Sequence, residues 1–526
     1  MGFKNDWAQA TPYLGFCVFT FCWANVIFGL DTSTFGSLQV LPSWLSRFGT
    51  NGALTVLQKA IANSVVYVGR IAGTLTFEPI AEKYGYKTLL AAIAGVQIVS
   101  VVVQLAAGNF NTFIAGRTIS YIAVGWIDGT IASYASEVAP AALRGFFSGL
   151  LAPMANLASV WGAGMCQHYA KETRKIGWMV PISVQLIPVV AIIICWPFAV
   201  ESPRWLAAHG KPDQALRALK KLRRKEDVAA GVCEAELEAI TYAIEYDRTH
   251  ATARWMDLFS KTAYKQFIYT ILFFFFYPST GNAFYNAYGT TFFKAIGLGD
   301  KAFTYAILCQ LMGMVGGLTG LFLTDRVGRR PLLIIGSALL VLFDGLAAGL
   351  GSKAHRTTTE NNVVVACWTL MLWSAKLSWA THAYIVVPEM GGIRMRKKLV
   401  MVGTTVDVLG NWLWGFSSPY IQKHQATAGA KIGYLFMGFA AMALLFAIFA
   451  APELKGRSLE EVDELFSKFR WGWEYKGYVT TGVGAAVAQA EHGQQNEGKA
   501  NDHVENGDDE NEKEVSTRVQ VHAAAI

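Results

Sequence analysis

Twelve runs of about twenty apolar residues recur along this 526-residue chain, each bounded by charge, Pro or Gly. A helix needs about 20 such residues to cross the hydrocarbon core, so the pattern demands a bundle of membrane-spanning helices. The runs cover residues 12–34, 56–80, 88–108, 111–135, 145–168 and 179–200, then 266–293, 302–324, 331–351, 363–388, 399–421 and 431–451. Only 16% of the residues are charged, against 53% hydrophobic. A soluble domain carries about a quarter charged residues, so a water-facing surface of this size is excluded. The net charge of +7 sits in turns between apolar runs. Positive-inside topology accounts for it and nucleic-acid binding does not.

Cys17, Cys22, Cys166, Cys195, Cys309 and Cys367 lie inside apolar runs and Cys233 in a polar stretch, with no CxxC and no Cys/His cluster. Neither a disulfide framework nor a metal site is expected. The first run is too long for a signal-peptide core, which makes the first helix its own targeting signal. Four segments follow: a six-helix bundle over 1–200, a cytosolic linker with short helices over 201–265, a second six-helix bundle over 266–455, and a tail over 456–526. The tail starts as an amphipathic helix and then becomes Gly, Gln, Asn, Asp and Glu rich, a composition that leaves most of it disordered. Basic residues in the odd-to-even turns and the linker place both termini in the cytosol.

Two patterns recur at matching places in the two bundles. Glu82-Lys83-Tyr84-Gly85-Tyr86-Lys87 follows the second helix, and Asp325-Arg326-Val327-Gly328-Arg329-Arg330 follows the eighth. Glu137 with Arg144 follows the fourth, and Glu389 with Arg396 the tenth, both seven residues apart (144 − 137 and 396 − 389). Copies separated by 243 residues (325 − 82) and 252 residues (389 − 137) imply two parallel halves in the same order. Rocking-bundle transporters are built this way, with the solute site between the halves near mid-membrane.

Further residues fit one family. Gly116-Arg117 is followed by Tyr134, Ser136, Glu137, Pro140, Arg144 and Gly145; Glu201 to Leu206 reads Glu-Ser-Pro-Arg-Trp-Leu; and Pro388, Glu389, Arg394 and Arg396 follow the tenth helix. Over residues 12–470 the chain resembles the sugar porters of the major facilitator superfamily, its fungal proton symporters in particular. The resemblance implies an all-α integral membrane fold of twelve helices in two parallel six-helix halves.

Glu137, Arg144, Glu201, Arg204, Asp325, Arg326, Arg330, Glu389 and Arg396 fall at cytosolic helix ends. Acid–base pairs there are expected to close the cytosolic side in one state and part in the other. Deeper charges each ask for a partner or a function, since one at mid-membrane costs about 2.5–3.5 kcal/mol. At about 1.5 Å per residue, Asp31 lies about 28 Å along the first helix and Arg117 about 30 Å up the fourth, an equal depth that permits pairing. The resemblance makes Asp31 the proton carrier and Arg117 the cation that modulates it. Asp128 shares the helical face of Arg117, as a second titrating site or as a partner for a neighbouring helix. Lys376 and Asp407 are expected to pair; an unpaired Lys376 facing the cavity would instead favour an anionic solute such as a sugar acid.

Sugar recognition needs hydrogen-bonding side chains and aromatic rings on facing helices. Tyr277 to Tyr288 carries Pro278 and Gly281 and reads as a broken helix lining the cavity. By resemblance the candidates are Gly281, Asn282 and Tyr288 there, Tyr384 on the tenth helix and Asn411 on the eleventh; Tyr285 in the same segment, Asn156 and Trp161 on the fifth helix and Trp379 on the tenth add polar and aromatic groups nearby. Where the family has paired glutamines this chain has Pro278 and Ser279, and its further Gln falls at Ala152, so plain glucose is disfavoured. Gly313, Gly316, Gly317 and Gly320 are expected to let the eighth helix pack closely.

No nucleophile–base constellation, phosphate loop or metal spacing occurs, so neither an enzyme nor a cofactor is expected. The chain reads as a monomeric plasma-membrane transporter whose partners are the lipid bilayer, a small polar sugar-like substrate and a proton. Export of a small polar metabolite and nutrient sensing are the alternatives.

Overall fold

The computed structural model describes residues 11–140, 147, 151–249, 255–260, 263–299, 301–353, 355–423, 431–455 and 466. Membrane-length helices follow the apolar runs one for one. They are α1 (Pro12–Leu38), α2 (Val56–Ser64 continuing as Val66–Tyr84), α3 (Tyr86–Leu105), α4 (Phe110–Val138), α5 (Leu151–His168) and α6 (Ile176–Phe198). The second six are α7 (Tyr264–Ser279 and Asn282–Phe293), α8 (Lys301–Val327), α9 (Arg329–Gly351), α10 (Thr358–Met390), α11 (Gly392–Lys423) and α12 (Ile432–Phe449). Seven of these, among the described residues, are long and apolar enough to span by themselves; α2, α4, α5, α7 and α11 are not. Three of those five carry the mid-helix charges Arg70, Arg117, Asp128 and Asp407, so their polarity is turned inward, away from lipid.

Local chemistry sets the helix starts. Thr11 accepts the Leu14 N–H at 3.1 Å with Pro12 in the first turn, and Asn109 accepts that of Thr112 at 2.8 Å. Thr55 with Gln58 and Thr357 with Glu360 form capping boxes at α2 and α10. α7 is interrupted as Pro278 and Gly281 foretold: its second segment starts from Gly281, whose φ of +90° a side chain would strain.

α2 and α4 touch backbone to backbone. A Cβ on Gly125 would lie 2.4 Å from the Arg70 carbonyl oxygen and 2.8 Å from the Gly73 Cα. α8 meets α10 in the same way at Gly316, whose added Cβ would lie 2.4 Å from the Trp373 oxygen, and at Gly320. Gly313 and Gly317 make no such approach, so only half of that expected stripe packs closely.

Helices at Pro203–Ala208, Pro212–Leu222, Lys225–Ala229 and Val232–Thr249 lie at one end of the bundle, here the linker end. Arg223 ties them to the first half, donating to the Val138 oxygen at 3.1 Å and pairing with Glu236 at 2.6 Å. The amphipathic segment and tail expected from 456 onward lie outside the described residues, Phe466 excepted.

Candidate functional site

Asp31 of α1 and Arg117 of α4 meet at 3.0 Å, with side chains 1% and 3% exposed. Arg117 also donates to the Ala62 oxygen at 3.0 Å, and its guanidinium lies 3.6 Å from the centroid of the Phe35 ring. The second oxygen of Asp31 has no hydrogen-bond partner. A buried carboxylate held by one cation, with one oxygen unsatisfied, is a place where a proton and a guanidinium can exchange.

One turn from the Gly73–Gly125 contact lies a residue that sequence reasoning passed over. Arg70 of α2 binds Asp128 of α4 at 2.9 Å and Asp407 of α11 at 3.5 Å. Asp128 thus meets a cation on a neighbouring helix, brought within reach by the close approach of α2 to α4. Asp407 is also taken, accepting from Asn411 Nδ2 at 2.8 Å and from the Tyr384 hydroxyl at 3.4 Å. The expected Lys376–Asp407 pair therefore does not form. The Lys376 ammonium lies over the Tyr277 ring, 5.7 Å from its centroid. Arg70 stood in an apolar run, so the depth argument applied to Asp31 and Arg117 would have found it.

Of the expected solute-binding residues, Tyr384 and Asn411 come together at Asp407. Gly281 forms the α7 break, and Asn282 beside it is buried with its side-chain oxygen unpartnered. Tyr288 shares its one hydroxyl hydrogen between the Gly415 oxygen of its own half at 2.6 Å and the Lys59 oxygen of the first half at 3.1 Å, the second contact joining the halves away from the linker end. Ser37 with Thr290, Gln39 with the Ala287 oxygen, and Gln167 with Thr304 join them on the same side. Tyr285 reaches the Ala306 oxygen. Asn156 is buried, and Trp161 packs with Val26, Leu30 and Ala158 between α1 and α5. Trp379 lies inside the second half, bonded to Ser337 at 2.9 Å among Phe273, Phe276 and Phe446, so it lines no shared space.

At the linker end Glu137 accepts from Tyr86 and Ser202, and Glu389 pairs with Arg329 at 2.8 Å, each within one half. Glu201 accepts the N–H groups of Tyr86 and Lys87 at 3.1 and 2.9 Å, at the start of α3. Burial pushes its carboxyl above the ordinary range, while the N–H groups of Ser202, Lys87 and Tyr86 pull it down. At the start of α9 Glu453 accepts the N–H groups of Arg329 and Arg330, each at 3.1 Å. Arg330 further donates to the Ile448 oxygen at 2.7 Å. Arg204, Arg326 and Arg396 are exposed. Arg144 and the side chain of Asp325 lie outside the described residues. Glu453 was missed although the repeat points to it: 453 − 201 is 252, the separation of Glu137 and Glu389.

The family model described as Sugar (and other) transporter matches residues 17–466. The chain is 26% identical over 497 residues to the low-affinity glucose transporter HXT3 of Saccharomyces cerevisiae, covering 91% of this chain and 86% of that one. It is 27% identical over 480 residues to hexose transporter 2 of Kluyveromyces lactis, covering 86% and 82%. The fold superposes on the inward-open xylose transporter XylE from E. coli with a TM-score of 0.71 at 17% identity, covering 86% and 99%. The chain belongs to the sugar transporter family: a multi-pass membrane protein with the twelve-helix fold of the major facilitator superfamily, a transporter and not an enzyme.

Proposed function

We propose that the protein imports a monosaccharide, or a related polyol or sugar acid, across the plasma membrane by proton symport, with both termini in the cytosol. The observation that carries this reading is the buried Asp31–Arg117 pair with its unsatisfied Asp31 oxygen. A proton on Asp31 cancels the charge that holds Arg117, and its departure restores the pair, so one proton biases two arrangements of α1 and α4. The glucose and hexose transport of the relatives supports the substrate class, and a structural neighbour described as a proton:xylose symporter supports the coupling. With the linker end in the cytosol, the contacts of Tyr288, Ser37, Gln39 and Gln167 close the outside, which suits an inward-facing state.

The test is uptake of labelled glucose, xylose, galacturonate and quinate into transporter-deficient yeast at pH 5 and pH 7, beside Asp31→Asn. Accumulation of one solute that is stronger at acid pH and lost in the variant is expected. Uptake that ignores both pH and Asp31 sinks the symport reading.

A further inference from the structure

We propose that Lys376 is the recognition cation for a carboxylate on the transported solute, so that the substrate is a sugar acid or another polyhydroxy acid and not a neutral hexose. The inference rests on the transport reading above and narrows its substrate class.

Lys376 lies 18 residues from the start of α10 and 14 from its end (376 − 358 and 390 − 376), in the middle of the membrane. An ammonium at that depth costs about 2.5–3.5 kcal/mol and persists only with a partner or a function. Its one candidate carboxylate is taken, because Asp407 is held by Arg70, Asn411 and Tyr384. Among the described residues Lys376 has no ion pair within 4 Å: its ammonium lies over the face of Tyr277, and Asp407 reaches it only through space. α10 also widens into a π-helical turn over Lys376–Ala380, a distortion that concentrates at functional sites because it re-aims the residues it contains.

The surroundings suit a hydroxylated acid. The Tyr277 ring is 6.4 Å from that of Tyr384, which is 45% exposed although its hydroxyl reaches the buried Asp407. Since Asp407 is bonded across the interface to Arg70, the open part of Tyr384 faces the space between the halves, where this fold binds its solutes. Tyr384 and Tyr277 offer aromatic faces and the half-buried Asn411 offers its amide oxygen to hydroxyls, with Lys376 beside them. A neutral sugar gains nothing from a bare ammonium that amide donors would not supply at lower desolvation cost. A carboxylate converts the same group into a charge-assisted hydrogen bond.

The test uses the full chain in transporter-deficient yeast, with surface amounts matched by a fluorescent tag. Probes are two pairs differing only in the acid group: D-galacturonate against D-galactose, and D-gluconate against D-sorbitol. The wild type is expected to carry an acid in preference to its neutral partner. Lys376→Met should raise KM for that acid about ten- to a hundredfold, with Lys376→Arg restoring most of it. A wild type that carries galactose or sorbitol and neither acid overturns the inference while leaving sugar transport intact. Equal losses for acid and neutral probes in Lys376→Met overturn it too, assigning the lysine to charge balance around Arg70, Asp128 and Asp407. If Lys376→Met fails to reach the surface, the wild-type preference within each pair decides alone. Uptake of none of the four overturns this inference, while uptake of glucose or xylose in the assay above would still uphold the transport reading.

Discussion

Arg70 of α2 and Asp407 of α11 form an ion pair of 3.5 Å that crosses from one half of the bundle to the other. Arg70 lies 14 residues from either end of α2 (70 − 56 and 84 − 70), so the bridge stands near mid-depth. One guanidinium there serves two carboxylates, because Asp128 binds it as well. Removing the cation strands both acids, whereas removing one acid leaves a complete pair. Arg70→Ala is therefore expected to lower stability by about 3–5 kcal/mol, and Asp407→Asn or Asp128→Asn by clearly less. Thermal midpoints of the detergent-solubilised variants check the order; equal effects would dismiss the shared-cation account.

The Glu201 and Glu453 clasps predict matched behaviour in the two halves. Each carboxylate accepts two N–H groups at a helix start, where the helix dipole favours negative charge. Glu453→Ala and Glu201→Ala should each cost about 1.5–3 kcal/mol and lower the thermal midpoint by similar amounts. A loss confined to one of the two would break the symmetry argument.

Tyr288 fastens the end opposite the linker through two carbonyls on the other helices. Tyr288→Phe removes the hydroxyl that reaches Lys59 of the first half and should weaken that closure by about 1–3 kcal/mol. Spin labels on Arg174 and Lys301, both exposed, report the change in a chain whose partly exposed Cys195 is replaced by Ser. A second, longer distance population is expected in the variant, and an unchanged distribution refutes the closure role.

Asp344 of α9 is 1% exposed and neither of its carboxyl oxygens has a partner. A buried polar group without a hydrogen bond is a standing cost, so Asp344→Leu is expected to raise the thermal midpoint by the equivalent of about 1–3 kcal/mol with uptake unchanged. A lowered midpoint or lost uptake would show that the acid has a role.

Much of this was legible in the residues themselves. Twelve apolar runs became twelve helices because a membrane leaves the backbone no other hydrogen-bonded way across, and Pro278 with Gly281 marked the α7 break because Pro removes a ladder donor and Gly takes the left-handed turn that follows. Depth along a helix is sequence arithmetic, which is why Asp31 and Arg117 could be matched in advance.

The sequence by itself determined the number of helices, their order, the duplicated halves and the depth of each buried charge, because these follow from local periodicity and the thickness of a membrane. Only the tertiary structure decided the partners: Asp128 and Asp407 went to Arg70, and Lys376 was left over Tyr277. Depth is one coordinate of three. The other two, how each helix is turned and how near its neighbours come, depend on contacts such as Gly73 against Gly125, which exist only once both helices are in place.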